Sequence, residues 1–228
     1  EGEWENYKLQ DIVTIIDCKH RTPQYVEFGV PVISPGTIRW GDIDLQTPTK
    51  MVTEDDYISL MDHCSPQVGD MVVSRNQSIG IASVIRKKEK FVLGQDTVLM
   101  QAKSIYSFYF YYQFQTRAIQ DQISKASGGS TFSRINIKEL RILRLTTSPT
   151  LPEQEKIAGF LSSVDTKLQQ LLEKKDLLSQ YKKGLMQQLF SGELRFKDDA
   201  GKDFPDWEEK RLGDVGTFKN GINKSKQD

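Results

Sequence analysis

The stretch from Pro152 to Phe190 constrains this chain more than any other part of it. Apolar residues recur at alternating steps of four and three: Ile157, Leu161, Val164, Leu168, Leu171, Leu178, Leu185 and Leu189, with Lys175 and Lys182 filling two places in the same seam. That spacing averages 3.5 residues and marks one face of a coiled-coil-type helix. Pro152 suits the first turn, Glu153 and Glu155 suit its positive end, and Ser191-Gly192 supplies a stop. Phe160, Leu172 and Tyr181 widen the stripe. At the helical rise per residue the segment predicts a rod about 58 Å long. The preceding residues cannot cover so long a face, and no second heptad segment occurs in the sequence. The simplest cover is the same helix from a second copy, antiparallel, which predicts a homodimer with a globular domain at each end. Its interface would be Ile157, Leu161, Val164, Leu168, Leu171, Leu178, Leu185 and Leu189.

A repeat brackets this helix. Trp4-Glu5-Asn6-Tyr7-Lys8-Leu9-Gln10-Asp11-Ile12 returns as Trp207-Glu208-Glu209-Lys210-Arg211-Leu212-Gly213-Asp214-Val215, with the shared pattern W-E-x-x-[KR]-L-x-D-[IV]. A tryptophan-containing match of this length points to a second start of the same domain. The expected organisation is a globular domain at 1–150, a long dimerisation or spacer helix at 151–192, and at 193–228 a linker with the beginning of a second, truncated domain.

The first of these reads as a mixed α/β domain, and the whole as α+β with a coiled-coil-type helix. Val30–Ile33, Asp70–Ser74, Ile79–Ile85 and Thr97–Met100 are β-rich runs ended by turn signals. Thr53 with Asp56 three residues on predicts a helix start before Tyr57, Ile58, Leu60 and Met61. From Ser104 to Lys125 the spacing predicts one long aromatic helix facing inward through Phe108, Tyr111, Tyr112, Gln115, Ile119 and Ile123, stopped at Gly128-Gly129.

Net charge is zero, with 31 basic and 31 acidic residues, but it is unevenly spread. Residues 1–70 carry 5 basic against 13 acidic side chains, and residues 71–150 carry 12 against 4. The asymmetry signals either a surface facing a polyanion or two stretches that neutralise one another on folding. No run of apolar residues reaches the length of a membrane span, and the acidic opening Glu1-Gly2-Glu3 is unlike a secretory leader, so a cytoplasmic protein is expected.

Catalytic chemistry is hard to assemble. Two cysteines are too few for a disulfide scaffold, two histidines offer no Ser-His-Asp arrangement, and Cys18-Lys19-His20 and His63-Cys64 lack zinc-site spacing. There is no phosphate loop, no dinucleotide fingerprint and no amino-methyltransferase motif. Pro205-Asp206 with Glu208-x-Lys210 evokes a nuclease, but residues so close in sequence cannot converge on one metal from separate strands. No catalytic residue, metal or cofactor is expected.

Binding candidates are better. Ser74-Arg75-Asn76-Gln77 follows a strand, and arginine, asparagine and glutamine are the side chains that pair bidentately with guanine and adenine. Lys125, Ser130, Thr131 and Arg134 surround Gly128-Gly129, a composition suited to phosphate oxygens. Lys19, Arg21 and Arg39 are further loop cations. The aromatic run Tyr109 to Tyr112 is suited to stacking on bases or, at helical spacing, to a core.

Taken together, these residues resemble the specificity subunits of type I restriction–modification enzymes. The resemblance is carried by Leu151-Pro152-x-Gln154-Glu155-Lys156-Ile157 opening the helix, Lys183-Gly184-Leu185-Met186-Gln187-Gln188-Leu189-Phe190 closing it, and the repeated W-E motif after it. Gly69-Asp70-x-Val72-Val73-Ser74-Arg75, Ser78-Ile79-Gly80 and Ser127-Gly128-Gly129-Ser130-Thr131 add to it. It implies a non-catalytic subunit reading half of a bipartite site in double-stranded DNA and docking methyltransferase (modification) and restriction subunits. A different class of reading is a helical assembly scaffold whose globular domain binds protein.

Overall fold

In a computed structural model of the chain, residues 3–47, 50–128, 134–219 and 221 are described. They form two compact units, Glu1–Lys167 and Leu168–Asp228.

The first unit is built on a four-stranded antiparallel sheet ordered β2-β8-β5-β6. The chain enters through β1 (Glu5–Lys8), makes a single helical turn, α1 (Leu9–Ile12), and continues as β2 (Val13–Asp17). β3 (Val30–Ile33), β4 (Met51–Val52) and the later β7 (Val92–Leu93) make a small sheet in which β3 and β7 run parallel. Between β4 and β5 (Met71–Ser74) lies α2 (Glu54–Met61), opened as expected by Thr53, whose hydroxyl accepts from the Asp56 amide at 3.2 Å. β6 (Ala82–Val84) and β8 (Thr97–Ala102) complete the main sheet.

Why β5 is apolar at every position follows from where it sits. Successive strand side chains point to opposite faces. Met71 and Val73 enter one core with Val98, Met100, Ala82 and Val84, while Val72 enters a second core with Leu99, Ile33, Val52 and Phe91. The main sheet is therefore buried on both faces, and its strands read as continuous hydrophobic runs.

The first core is closed by α3 (Ser107–Phe114), α4 (Arg117–Ser127) and α5 (Ile137–Ile142). This corrects the expectation of one helix from Ser104 to Lys125. The chain breaks at Gln115-Thr116, where Thr116 is extended at φ −65°, ψ 149°, and its hydroxyl donates to the Gln113 carbonyl at 2.7 Å. In a single straight helix Phe110 and Ile119, and likewise Phe114 and Ile123, would be about 180° apart. The break lets all four enter the core. Tyr109, Phe110 and Tyr111 are buried there, so those rings are core, not a stacking platform. After α5, β9 (Arg144–Thr147) returns to pair antiparallel with β1, Glu5 opposite Thr147 and Lys8 opposite Arg144.

The last long element is α6 (Leu151–Phe190), with the bounds that the heptad pattern predicts to within one residue. Inside the first unit it buries only Gln154 and Ala158. The Gln154 side chain accepts from the Tyr106 amide and donates to the Ser148 carbonyl, both at 2.7 Å, fixing the first turn of the helix to the domain. Leu161 is half-buried, and Val164, Leu168, Leu171 and Leu178 are exposed.

In the second unit α6 ends at Ser191-Gly192, where Gly192 takes the left-handed conformation at φ +78°. A short turn follows in which Lys197 bridges Asp203 and the Arg195 guanidinium is taken up by Phe204 O, Pro205 O and Asp206. The repeated motif then forms an extended segment and one helical turn, α7 (Leu212–Val215).

Candidate nucleic-acid interface

One end of the main sheet collects the polar residues. The register places Asp17 opposite Val98 and Ser74 opposite Thr97, so β2 and β5 finish where β8 begins. From Ser74 the chain turns back through Gly80, whose amide donates to the Ser74 carbonyl at 2.9 Å. Gly80 is left-handed at φ +78°, and a Cβ there would meet the Ile123 side chain at 2.9 Å. Its lack of a side chain seats the turn directly on α4.

Within this turn the four candidate residues have different fates. Ser74 is buried and its hydroxyl donates to the Asn76 carbonyl at 2.5 Å. Arg75 is 4% exposed. Its Nη1 donates to Asp17 Oδ1 at 2.8 Å and its Nε to the Ile135 carbonyl at 3.1 Å, while its own carbonyl accepts from the Ile135 amide. The expectation of Arg75 as an outward reader is thereby corrected, since a guanidinium is tolerated inside only when paired, and this one is satisfied by partners 58 and 60 residues away. Asn76 is half-buried, and its backbone forms an antiparallel bridge with Arg134. Gln77 is exposed and left-handed at φ +58°.

A residue without a place among the sequence candidates organises the rest. Asp96, between β7 and β8, has φ +62°, and Gln77 and Asp96 are the two non-glycine residues with positive φ among those described. Left-handed backbone at such residues is uncommon and gathers where a side chain must be held in place. Here the Asp96 carbonyl accepts from the Arg75 amide at 2.8 Å, and its carboxylate lies 2.8 Å from Arg134 Nη2 and accepts from Asn76 Nδ2 at 3.4 Å. Only this fold-level contact could have revealed it, because nothing local in Gln95-Asp96 signals a ligand.

The remaining candidates separate. Lys125 is exposed on α4. Lys19 is held to α2 by Asp62 and the Ser59 carbonyl, both at 2.6 Å, and its hydrogen bond lowers the Asp62 pKa. Arg21 is likewise held by Asp56 at 2.6 Å and the Ser59 hydroxyl at 2.7 Å. Arg39 is exposed, with its amide on the Ser83 hydroxyl beside β6. Ser130 and Thr131 lie outside the described residues.

The charge asymmetry resolves in two parts. Asp17–Arg75, Asp42–Arg86 and Glu54–Lys90 pair the acidic stretch with the basic one. Among the described residues Lys125, Lys138, Arg141 and Arg144 make no ion pair and are exposed, on α4, α5 and β9. Gln122 of α4 bonds both the amide and the carbonyl of Arg144, which brings these elements side by side. The Gln77 turn packs on α4 through Gly80 against Gln120 and Ile123, while Arg144 meets the same helix through Gln122.

Asp17, Cys18 and His20 offer ligand atoms within 4.8 Å of one another. Arg75 occupies one oxygen of Asp17 and His20 Nε2 lies 3.1 Å from the other, while burial raises the Cys18 pKa and keeps the thiol protonated. The donor set is an ion-pair hub and fits a metal poorly, since thiol ligands bind as thiolate. Asp206 and Lys210 of the nuclease-like signature pair with Arg195 and Glu208 and do not converge.

Comparison with known proteins agrees with this architecture. A family model described as the type I restriction modification DNA specificity domain matches residues 1–179. The chain belongs to that family. Among curated relatives it is 23% identical to the type I restriction enzyme MjaIX specificity subunit of Methanocaldococcus jannaschii, over 97% of this chain and 53% of that protein. It is 22% identical to the MjaVIII specificity subunit of the same organism, over 86% of this chain and 47% of that one. The fold matches the S subunit of a type I restriction–modification system from M. genitalium with a TM-score of 0.59 at 17% identity, covering 86% of this chain and 47% of that structure. A chain from a structure of type I system assembly and conformational transition matches with a TM-score of 0.54 at 18% identity, covering 82% and 46%. The chain spans about half the length of the relatives it matches. No helix among the described residues is long and apolar enough to cross a membrane.

Proposed function

We propose that the chain is a non-catalytic DNA-reading component of a type I restriction–modification system, working in the cytoplasm, whose residues 1–150 read one half of a bipartite target in double-stranded DNA. The observation that carries this reading is the strained turn at Gln77, seated on α4 and bridged at Asn76 to Arg134, in a domain whose α4 and α5 also present exposed cations. Gln77 and Asn76 contact bases, Arg134 and Lys125 contact phosphates, and Arg75 holds the turn from inside. Residues 151–192 serve as spacer and dimerisation helix, residues 193–228 begin a second reader, and modification and restriction subunits dock to the assembly.

The exposed stripe Val164, Leu168, Leu171 and Leu178 supports pairing of α6 with its copy. Two identical readers related by a two-fold axis read an inverted repeat with a fixed spacer. The test is binding of the chain, with its methyltransferase subunits, to a random DNA library at fixed salt. Selective recovery of interrupted palindromes, lost in Gln77→Ala and weakened uniformly in Lys125→Ala, is the expected result. Recovery of two unrelated half-sites, or a monomer in sedimentation at micromolar concentration, overturns the symmetric assembly. Binding to protein subunits without any DNA selectivity favours the scaffold reading.

A further inference from the structure

Beyond Ala158 the contacts between α6 and the body of the first unit become polar. Arg86, just past β6, donates through Nε to Asp42 Oδ1 at 2.6 Å and through Nη1 to Ser162 Oγ at 3.3 Å. Its guanidinium carbon lies 5.2 Å from the centre of the Phe108 ring. Tyr112 of α3 donates its hydroxyl to Asp165 Oδ2 at 2.7 Å. Ser162 and Asp165 are three residues apart and share one face of α6. Two side chains from separate elements thus grip successive turns of one helix face. Gln154 grips it two turns earlier, through Tyr106 and Ser148.

Three grips along one helix fix both its tilt and its rotation about its own axis. Apolar packing alone would do this poorly here, because Gln154 and Ala158 are the buried residues of α6, with Ile157 half-buried beside them. Arg86 suits the task because a planar fork can serve Asp42 and Ser162 together while its face rests on a ring. Asp42 in turn lies in a parallel bridge with Val84, which ties the grip to the main sheet.

We infer that Arg86, Tyr112 and Asp165 are positioning residues that set the direction in which α6 leaves the reader, and through it the separation and rotational phase of the two half-sites in the DNA target. This rests on the reading proposed above, and no DNA contact is assigned to the three residues. They act through helix direction alone, so their loss changes the spacer and leaves the base preferences of each half-site as they were.

The experiment uses the full chain with its methyltransferase subunits and a random DNA library, with methylated sites mapped by sequencing. Asp165→Ala and Tyr112→Phe remove the exposed grip with little risk to folding, and Arg86→Lys keeps the charge but loses the fork. Expected is the same pair of half-site sequences with a spacer distribution broadened from one length to neighbouring lengths, Arg86→Lys lying between wild type and Arg86→Ala. An unchanged single spacer in all variants overturns the inference. A second measurement is independent of DNA. Spin labels at Ala118→Cys and Lys174→Cys, in a Cys18→Ala, Cys64→Ala background diluted with unlabelled chain, report the spread of helix directions. Asp165→Ala combined with Arg86→Ala should widen that distance distribution, and an unaltered width also overturns the inference. If wild type shows a narrow distribution that the variants widen, yet no sequence-selective methylation occurs, the grip stands and the DNA-reading assignment fails.

Discussion

Leu9 and Leu212 hold the same place in the repeated nine-residue motif and follow the same backbone path, yet Leu9 is 1% exposed and Leu212 is 73% exposed. The residues before them, Lys8 and Arg211, adopt φ −80°, ψ 145° and φ −75°, ψ 145°, and each opens a four-residue helical turn. What differs is the company. The Leu9 amide donates to the Leu143 carbonyl at 2.8 Å, and its side chain joins a core with Leu140, Leu143 and Leu145.

Leu9→Ala is therefore expected to destabilise the chain by about 2–5 kcal/mol, the usual cost of emptying a core site. Leu212→Ala should stay within about 0.5 kcal/mol of wild type. Urea denaturation of the two variants checks this, and equal effects would show that the two copies are buried alike in solution.

Arg75 and Gln77 divide the work of one turn. Arg75→Ala strands the Ile135 carbonyl and the half-buried Asp17 carboxylate, and should cost about 1.5–3 kcal/mol of stability. Gln77→Ala should be neutral for stability and cost about 1–3 kcal/mol of base discrimination. The paired measurement is thermal denaturation beside competition binding to matched and mismatched DNA. A stable Arg75→Ala with altered base preference would make Arg75 the reader after all.

Asp96→Asn keeps a residue that tolerates the left-handed backbone and removes the charge that holds Arg134. Arg134, which in the wild type divides its guanidinium between Asp96 and phosphate, is then left to neutralise phosphate alone. DNA binding should tighten on all sequences alike and the salt dependence steepen by roughly one ion per reader. Titrations at several salt concentrations test this, and weaker binding or an unaltered slope contradicts it.

The pH response of the fold has one separable component. Burial, chiefly, pushes the Cys64 thiol up to about 11 from an ordinary 9.0, with Asp62 and Asp70 adding to it. The folded state then holds the proton more tightly than the unfolded state, so this contribution is complete below pH 9 and is lost as pH rises through 11. The stability difference between wild type and Cys64→Ala should shrink steadily over that window. A difference that is flat with pH would mean the thiol is solvated.

What was legible in the sequence is local. The Thr53 cap, β5 and both ends of α6 are written in residues no more than a few positions apart. The break at Thr116 was not, because the aromatic spacing suits either one helix or two and only the shape of the core selects. The basic character of residues 71–150 was visible as a charge excess, but which cations stay unpaired depends on Asp17, Asp42 and Glu54 arriving from the other stretch. Asp96 and Gln154 escaped as determinants for the same reason, since their roles exist only through partners brought near by folding.

The pairing of Glu5 with Thr147 has a consequence for synthesis. Made from its N-terminus, the chain carries β1 with no strand to bond until Arg144–Thr147 emerges, and the core around Leu9 lacks Leu140, Leu143 and Leu145 until about the same point, so the domain closes late. The helix needs no such wait, because its hydrogen bonds are local and form as fast as it is extruded. Its apolar stripe therefore follows a clasp that has just become able to shut. In the α6-paired assembly proposed above, two copies would meet only once each domain can close on itself, an order of events that limits entanglement of one chain's β1 with another's β9.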